Sequence, residues 1–233
     1  MQLKNKIAVV TGVSQGIGYH SVRALLRKGA IVYGLGRNKN NIRGKNYHFI
    51  KCDVRVFMEV EKSFKRIFKE TKNKIHVLLN NAGLGYFGNL EDISIQHWHE
   101  MFETNVNGIF HCCKMVLPVM KKNQEGHIIN IASTAALEGY PQVSAYCSSK
   151  WAVRGLSESL YKEVRDEKIK VTCIYPASTK TGFFKNNPNI KPHDYMLMPE
   201  DVAKNILQVI EMPENFHTIN IEIRPLQPKG PKK

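Results

Sequence analysis

A chain of 233 residues, 42% of them hydrophobic, is long enough for one sizeable core and too apolar to be disordered. Five cysteines (Cys52, Cys112, Cys113, Cys147, Cys173) with no CxxC pair argue against a disulfide scaffold or zinc site, and the expectation is no metal. The formal net charge of +14 sits almost wholly in residues 1–74, which hold 17 basic and 4 acidic residues against 17 and 16 in the remainder.

That charge fits either a phosphate-rich ligand or acidic partner, or lysine-rich solvated helix faces. Basic residues do not interleave with aromatics on any stretch, so no nucleic-acid partner is expected. The opening MQLKNKIAVVTG lacks the pattern of a signal peptide, and no apolar run approaches the roughly 20 residues of a membrane helix. Free thiols suit a reducing compartment, so the expected location is cytoplasmic, away from membranes.

Along the chain, short apolar runs alternate with longer amphipathic ones. KIAVVTG reads as a buried strand, GIGYHSVRALLRKG as a helix ended by Gly29, AIVYGLG and NYHFIKCDV as strands. VFMEVEKSFKRIFKETKN reads as a helix and KIHVLLNNAG as a strand, followed by two helices over about 94–104 and 105–122. GHIINIAS is a strand, SAYCSSKWAVRGLSESLYKEVRDE a long helix, KVTCIYPA a strand, PEDVAKNILQVIEM a helix and TINIEIRP the last strand. Apolar strands separated by helices predict a doubly wound α/β (Rossmann) fold: seven mostly parallel strands with helices on both faces. Residues 1–225 form the expected domain, and the proline-rich basic tail 226–233 is expected to be flexible.

The turn Thr11-Gly12-Val13-Ser14-Gln15-Gly16-Ile17-Gly18 joins the first strand to the first helix. Glycine there allows a tight turn and lets backbone approach a pyrophosphate at the helix N-terminus, although the spacing is GxxxGxG and not GxGxxG. The second strand ends Leu35-Gly36-Arg37-Asn38 with none of the acidic residues that bind the NAD ribose. Arg37 can instead pair with the extra phosphate of NADP, with Ser14 as a further donor, which favours NADP over NAD.

Tyr146 and Lys150, four apart at the start of the long helix, share a face. A nearby cation lowers the pKa of a phenol toward use as a proton shuttle. Ser133 ends a strand, so it would project at the carboxyl edge of the sheet. The glycine turn, Asn80-Asn81-Ala82-Gly83 and Pro176-Ala177 reach the same edge.

TGVSQGIG, Asp53-Val54, NNAG, Asn105 in NVNG, Ser133, YCSSK and PASTKT, in that order, resemble the short-chain dehydrogenase/reductase family in its compact single-domain branch, over about 6–225. The resemblance implies Tyr146 as general acid in reduction, Lys150 on the nicotinamide ribose and lowering the tyrosine pKa, and Ser133 on the substrate carbonyl. It implies that Asn105 holds a water in a proton relay. Asp53 and Val54 are expected at the adenine, Asn81, Ala82 and Gly83 along its ribose, and Pro176, Thr179 and Thr181 at the nicotinamide. Two departures are Ala177, where the family has glycine, and Gln15, where many NADP-preferring members carry a basic residue.

Residues of about 181–198 are expected to form a substrate lid, with Phe183, Phe184, Tyr195, Met196 and Met198 either lining an apolar pocket or packing the lid on the sheet. The expected activity is NADPH-dependent reduction of a carbonyl, with a 3-oxoacyl thioester, carried by an acyl carrier protein, as the leading substrate. Alternatives are another small carbonyl, a pterin ketone, a diketone or a 3-hydroxy acid, or a non-catalytic NADP sensor. His97 and His99 bracket Trp98 and do not share a helix face, which favours a surface role over a metal pair. The resemblance implies a homotetramer or homodimer built on the helices carrying Asn105 and Tyr146.

Overall fold

The computed structural model describes residues 1–187 and 193–228. Strands β1 (Ile7–Thr11), β2 (Ile31–Gly36), β3 (Tyr47–Lys51), β4 (Val77–Asn80), β5 (Gly126–Ile131), β6 (Ile169–Pro176) and β7 (Asn220–Ile223) form one sheet in the order β3-β2-β1-β4-β5-β6-β7. All six pairings are parallel. The central strands β1, β4 and β5 are buried at every residue, whereas edge strand β7 alternates half-buried with exposed. That difference follows from covering a parallel sheet on both faces while its margin meets water.

Helices α1 (Gly16–Arg27) and α6 (Pro199–Glu211) cover one face. Their apolar stripes, among them Val22, Leu25, Val202, Ile206 and Ile210, close over Val10, Val32, Leu79 and Ile129. The other face carries α2 (Phe57–Thr71), α4 (Gly108–Asn123) and α5 (Ser144–Val164), which bury Phe64, Ile67, Val116, Met120, Val153 and Leu160 against Leu78 and Ile128. The helices expected over 94–104 and 105–122 are one continuous run: α3 (Ile95–Phe102) passes through a π turn at Glu103–Asn107 into α4. The wider turn absorbs one extra residue without ending the helix, a device found where a side chain must be re-aimed.

Parallel pairing brings every strand's carboxyl end to one edge. There β1 pairs with β2 on one side and β4 on the other, so the chain order reverses beside the glycine turn. A crevice necessarily opens at such a point.

At the opposite end of β5, His127 is 2% exposed. Thr172 donates its hydroxyl proton to the Thr218 carbonyl (2.6 Å), so its oxygen accepts from His127 Nε2 at 2.9 Å and the imidazole is neutral. Burial, helped by His217 and Lys170, pushes its pKa down to about 3. An unfolded histidine titrates near pH ~6.5, so between these values the unfolded chain binds the extra proton. This group's stabilising contribution is therefore complete above about pH 6.5 and is lost as pH falls toward 3, at about 1.4 kcal/mol per pH unit. Urea unfolding between pH 7 and pH 5 is expected to show this loss, and His127→Gln is expected to flatten it; an equally steep dependence in the variant would assign the effect elsewhere.

Candidate active site

The glycine turn is held by β4. The Asn81 side chain donates to the carbonyls of Thr11 and Gly12, both at 3.0 Å, while Thr11 Oγ1 accepts from the backbone N–H groups of Asn81 and Ala82. Gly12 has φ +70°, and a Cβ there would stand 2.7 Å from the Ala82 backbone, so neither the conformation nor the space admits a side chain. Helix α1 begins immediately after Gln15 with no side-chain cap. Its first N–H groups are thus left to point into the crevice, as an anion-binding helix start requires.

One turn of α5 separates Tyr146 from Lys150, and both are buried. Lys150 Nζ donates to the Ile131 carbonyl at 2.9 Å and lies 5.7 Å from the centre of the Tyr146 ring. Desolvation pulls the ammonium down to about 8. Burial pushes the phenol above its ordinary value, and the Ser133 hydroxyl beside it counteracts that only in part. Ser133 Oγ accepts from Ala135 N at 3.2 Å, which leaves its proton free to donate outward. A methyl at Gly83 would stand 3.2 Å from Asn105 Oδ1 and 3.6 Å from Lys150 Nζ, which accounts for glycine at the end of NNAG.

Asn105 sits in the π turn, fully buried, and is not part of the cleft wall. Its Oδ1 accepts from Leu84 N (2.9 Å), and its Nδ2 donates to Leu84 O (2.9 Å) and to Ser149 Oγ (3.0 Å). The side-chain amide is therefore occupied in fixing the loop after β4 against α5.

A single cleft of about 690 Å³ runs along this edge. At one end lie Gly12, Ser14, Gln15, Gly16, Ile17, Arg37, Asp53 and Val54, and in the middle Asn81, Ala82, Gly83, Ser133, Tyr146, Lys150, Pro176, Thr179 and Thr181. Of the expected site residues only Gly18 and Asn105 stand behind the wall. Arg37 is exposed, but Asp53 is held by the Arg55 guanidinium at 2.7–3.1 Å. Burial raises the Asp53 pKa and the Arg55 bonds lower it further than that, so the carboxylate stays ionised.

The far end is walled by aromatic rings. Phe87 and Phe183 each lie 5.5 Å from the Tyr146 ring, and Phe184, Tyr195 and Met196 continue the lining. Met198 lies outside it and is half-exposed. The central part of the lid, 188–192, lies outside the described residues; its ends are joined by backbone bonds from Lys180 N to Leu197 O and from Leu197 N to Ser178 O.

Several contributors carry no periodic signal in the sequence. Buried Asn187 clasps the lid to the loop after β4, accepting from Phe87 N (2.8 Å) and donating to the Gly85 carbonyl (3.2 Å). Arg224, after β7, reaches Glu138 at 2.6 Å, and Glu138 also bonds the Tyr140 hydroxyl, so Tyr140 and Arg224 edge the cleft together. Pro225 and Pro228 also line it, which places the start of the expected flexible tail against the site; 229–233 are outside the described residues. His97 stacks on Tyr86 at 3.8 Å between ring centres.

The short chain dehydrogenase family profile matches residues 6–191. The chain belongs to this family. Among curated proteins, 3-ketodihydrosphingosine reductase of Bacteroides thetaiotaomicron is 35% identical over 91% of this chain and 77% of its own length. Among solved structures, an alcohol dehydrogenase of the archaeon Thermococcus sibiricus complexed with 5-hydroxy-NADP superposes with a TM-score of 0.86 at 26% identity, covering 99% of this chain and 100% of that one. The closed form of a serine dehydrogenase with NADP+ gives 0.87 at 29% identity over 95% of each chain. This short chain dehydrogenase is accordingly an NAD(P)-dependent oxidoreductase acting between CH–OH and C=O groups.

Replacing Asn105 by Ala removes the partner of both Leu84 backbone groups and one of the two bonds of the Ser149 hydroxyl, which keeps the Tyr146 carbonyl. The expected loss is about 2–4 kcal/mol of unfolding free energy. Denaturant titration measures it, and a loss below about 1 kcal/mol would show that the amide does not brace the loop.

Proposed function

We propose that the protein is an NADPH-dependent carbonyl reductase whose substrate carries the carbonyl on an apolar chain, with a 3-oxoacyl group as the leading class. The observation that carries this reading is the meeting of the Tyr146 phenol, the Ser133 hydroxyl and the Lys150 ammonium in one cleft with the glycine turn.

The cleft has the form a dinucleotide requires. Gly12 and Gly16 keep its floor clear of side chains, and the start of α1 offers unpaired N–H groups to a pyrophosphate. Arg37 would hold the 2′-phosphate, with Ser14 beside it, while Val54 and Asp53 would flank the adenine. Asn81 to Gly83 would follow the adenine ribose. Lys150 would hold the nicotinamide ribose, and Pro176, Thr179 and Thr181 would lie along the ring. The Thr181 hydroxyl accepts from Phe183 N, so its proton is free to donate to a carboxamide. Both solved relatives described above carry an NADP species, which supports NADP over NAD.

When bound, the reduced nicotinamide supplies the hydride. Ser133 and Tyr146 would donate to the carbonyl oxygen and stabilise the developing alkoxide, with Tyr146 delivering the proton. A phenol whose pKa lies above its ordinary value is fully protonated at neutral pH, which suits an acid waiting for an alkoxide. Asn105 would hold a water of the proton relay, while its side-chain amide braces Leu84 and Ser149. Phe87, Phe183 and Phe184 exclude water around the phenol and favour an apolar chain beside the carbonyl. The named activity of the Bacteroides relative, reduction of a 3-keto compound, supports a 3-oxo substrate. A homodimer or homotetramer, and delivery of the substrate by an acyl carrier protein, complete the proposal.

NADPH absorbance, followed against an acetoacetyl thioester, a 3-oxo acid, a diketone and a pterin ketone, tests the reading. Oxidation with the 3-oxo compounds is expected, and Tyr146→Phe is expected to lower kcat by at least about 100-fold while leaving NADPH binding nearly intact. Full turnover by that variant would remove Tyr146 from the role of acid.

Arg37→Asp is expected to reverse the NADPH-to-NADH ratio of kcat/KM by about 10-fold or more, through loss of a guanidinium–phosphate pair and gain of a like charge. An unchanged ratio would place the phosphate contact on other residues.

A further inference from the structure

No Asp or Glu occurs before Asp53, while ten Lys and Arg residues do. Part of that charge is gathered around a concavity that shares no lining residue with the active-site cleft. Tyr19, Arg23, Leu26 and Arg27, at i, i+4, i+7 and i+8, form one stripe of α1. Asn41, Ile42 and Arg43, in the loop between β2 and β3, face that stripe across a space of about 380 Å³.

We propose that this concavity is a second, anion-binding site that takes a small phosphate-bearing molecule. Arg23, Arg27 and Arg43 are exposed, and among the described residues none has an acidic partner. Arg23 lies 5.8 Å over the Tyr19 ring, and among the described residues Arg43 bonds only the neighbouring Ile42 carbonyl, at 3.3 Å. Elsewhere on α1 and just after it, His20 and Lys28 meet Glu200 and Glu211 of α6. Three like charges around one hollow repel one another, an anion that joins them relieves this, and planar guanidinium forks match phosphate oxygens.

The walls are pre-set. Asn40, 9% exposed, donates to the Val13 carbonyl and to the Tyr47 hydroxyl (both 2.8 Å) and accepts from Ile42 N (3.1 Å), which pins the loop. The Tyr19 hydroxyl donates to Asn41 Oδ1 at 3.0 Å and joins helix to loop. Leu26 and Ile42 give the hollow an apolar part that can take the carbon skeleton of a phosphorylated compound. Its volume fits a small molecule, at the lower end of the usual 300–1,000 Å³ or so. The loop that supplies Arg43 begins at Arg37 on the cleft, so an anion bound here would stiffen the segment that carries both arginines.

Calorimetric titration of the full chain with inorganic tripolyphosphate, without NADPH and with NADPH at saturation, tests the site. Without NADPH the proposed pyrophosphate site of the cleft adds a second equivalent; at NADPH saturation one saturable equivalent is expected, with affinity falling as salt rises. Arg23→Gln/Arg27→Gln and, separately, Arg43→Gln are expected to weaken it by about 10-fold or more and to leave NADPH affinity and kcat unchanged. Lys62→Gln/Lys69→Gln, which removes two exposed charges from α2, is expected to bind like the native protein. Absence of saturable binding, as expected if the hollow only faces an acidic protein, would overturn the proposal. So would loss of the remaining equivalent at NADPH saturation, or equal weakening in the α2 variant. If the reductase reading fails, the arginine variants still decide the proposal, since they remove only the equivalent bound between α1 and Arg43.

Discussion

The site depends on how the Asn81 amide ties the end of β4 to the end of β1. Its two bonds to the Thr11 and Gly12 carbonyls, answered by Thr11 Oγ1 accepting from Asn81 and Ala82, lock the point where strand order reverses. The crevice at that point must stay open for a ligand, yet its walls belong to strands separated by some 70 residues. A side-chain amide that bridges two backbones supplies rigidity without filling the space, and glycine at position 12 supplies the clearance.

Around that joint the charged chemistry is arranged by burial. Lys150 is held by one carbonyl, Ile131 O, and loses solvation, which brings its pKa near 8 and leaves it a cation that is readily tuned by what binds beside it. Tyr146 lies in the same dry environment, where burial favours the neutral phenol. The Ser133 hydroxyl counteracts that in part, and the Lys150 ammonium lies 5.7 Å from the centre of the phenol ring. The rings of Phe87 and Phe183 and the Asn187 clasp maintain that dryness by seating the lid root against the loop after β4.

The two ends of the cleft use opposite physics. At the Arg37 end, exposed side chains and helix N–H groups meet water, so recognition there rests on charge and hydrogen bonds and is open to screening. At the Phe87 end, shape and apolar burial decide what enters, and Glu138, Tyr140 and Arg224 set the rim through a surface network worth little by itself. Joining these ends in one continuous cleft lets one molecule supply reducing power while the other is held dry.

The sequence by itself determined the fold and most of the cleft wall. Alternation of apolar strands with amphipathic helices can satisfy its backbone and bury its faces in few other ways, and a glycine turn, NNAG, Ser133 and YCSSK are local signals at strand ends. It also located the basic excess in the first third. Tertiary structure alone decided that the segments around Asn105 form one helix with a π turn, and that Asn105 braces Leu84 and Ser149 instead of lining the cleft. It alone paired Asn187 with Phe87 and Gly85, Arg224 with Glu138, and Arg43 with the arginines of α1. The physical reason is range: periodicity and turn chemistry act within about one or two turns of chain, whereas these contacts join residues brought together only after the sheet has closed.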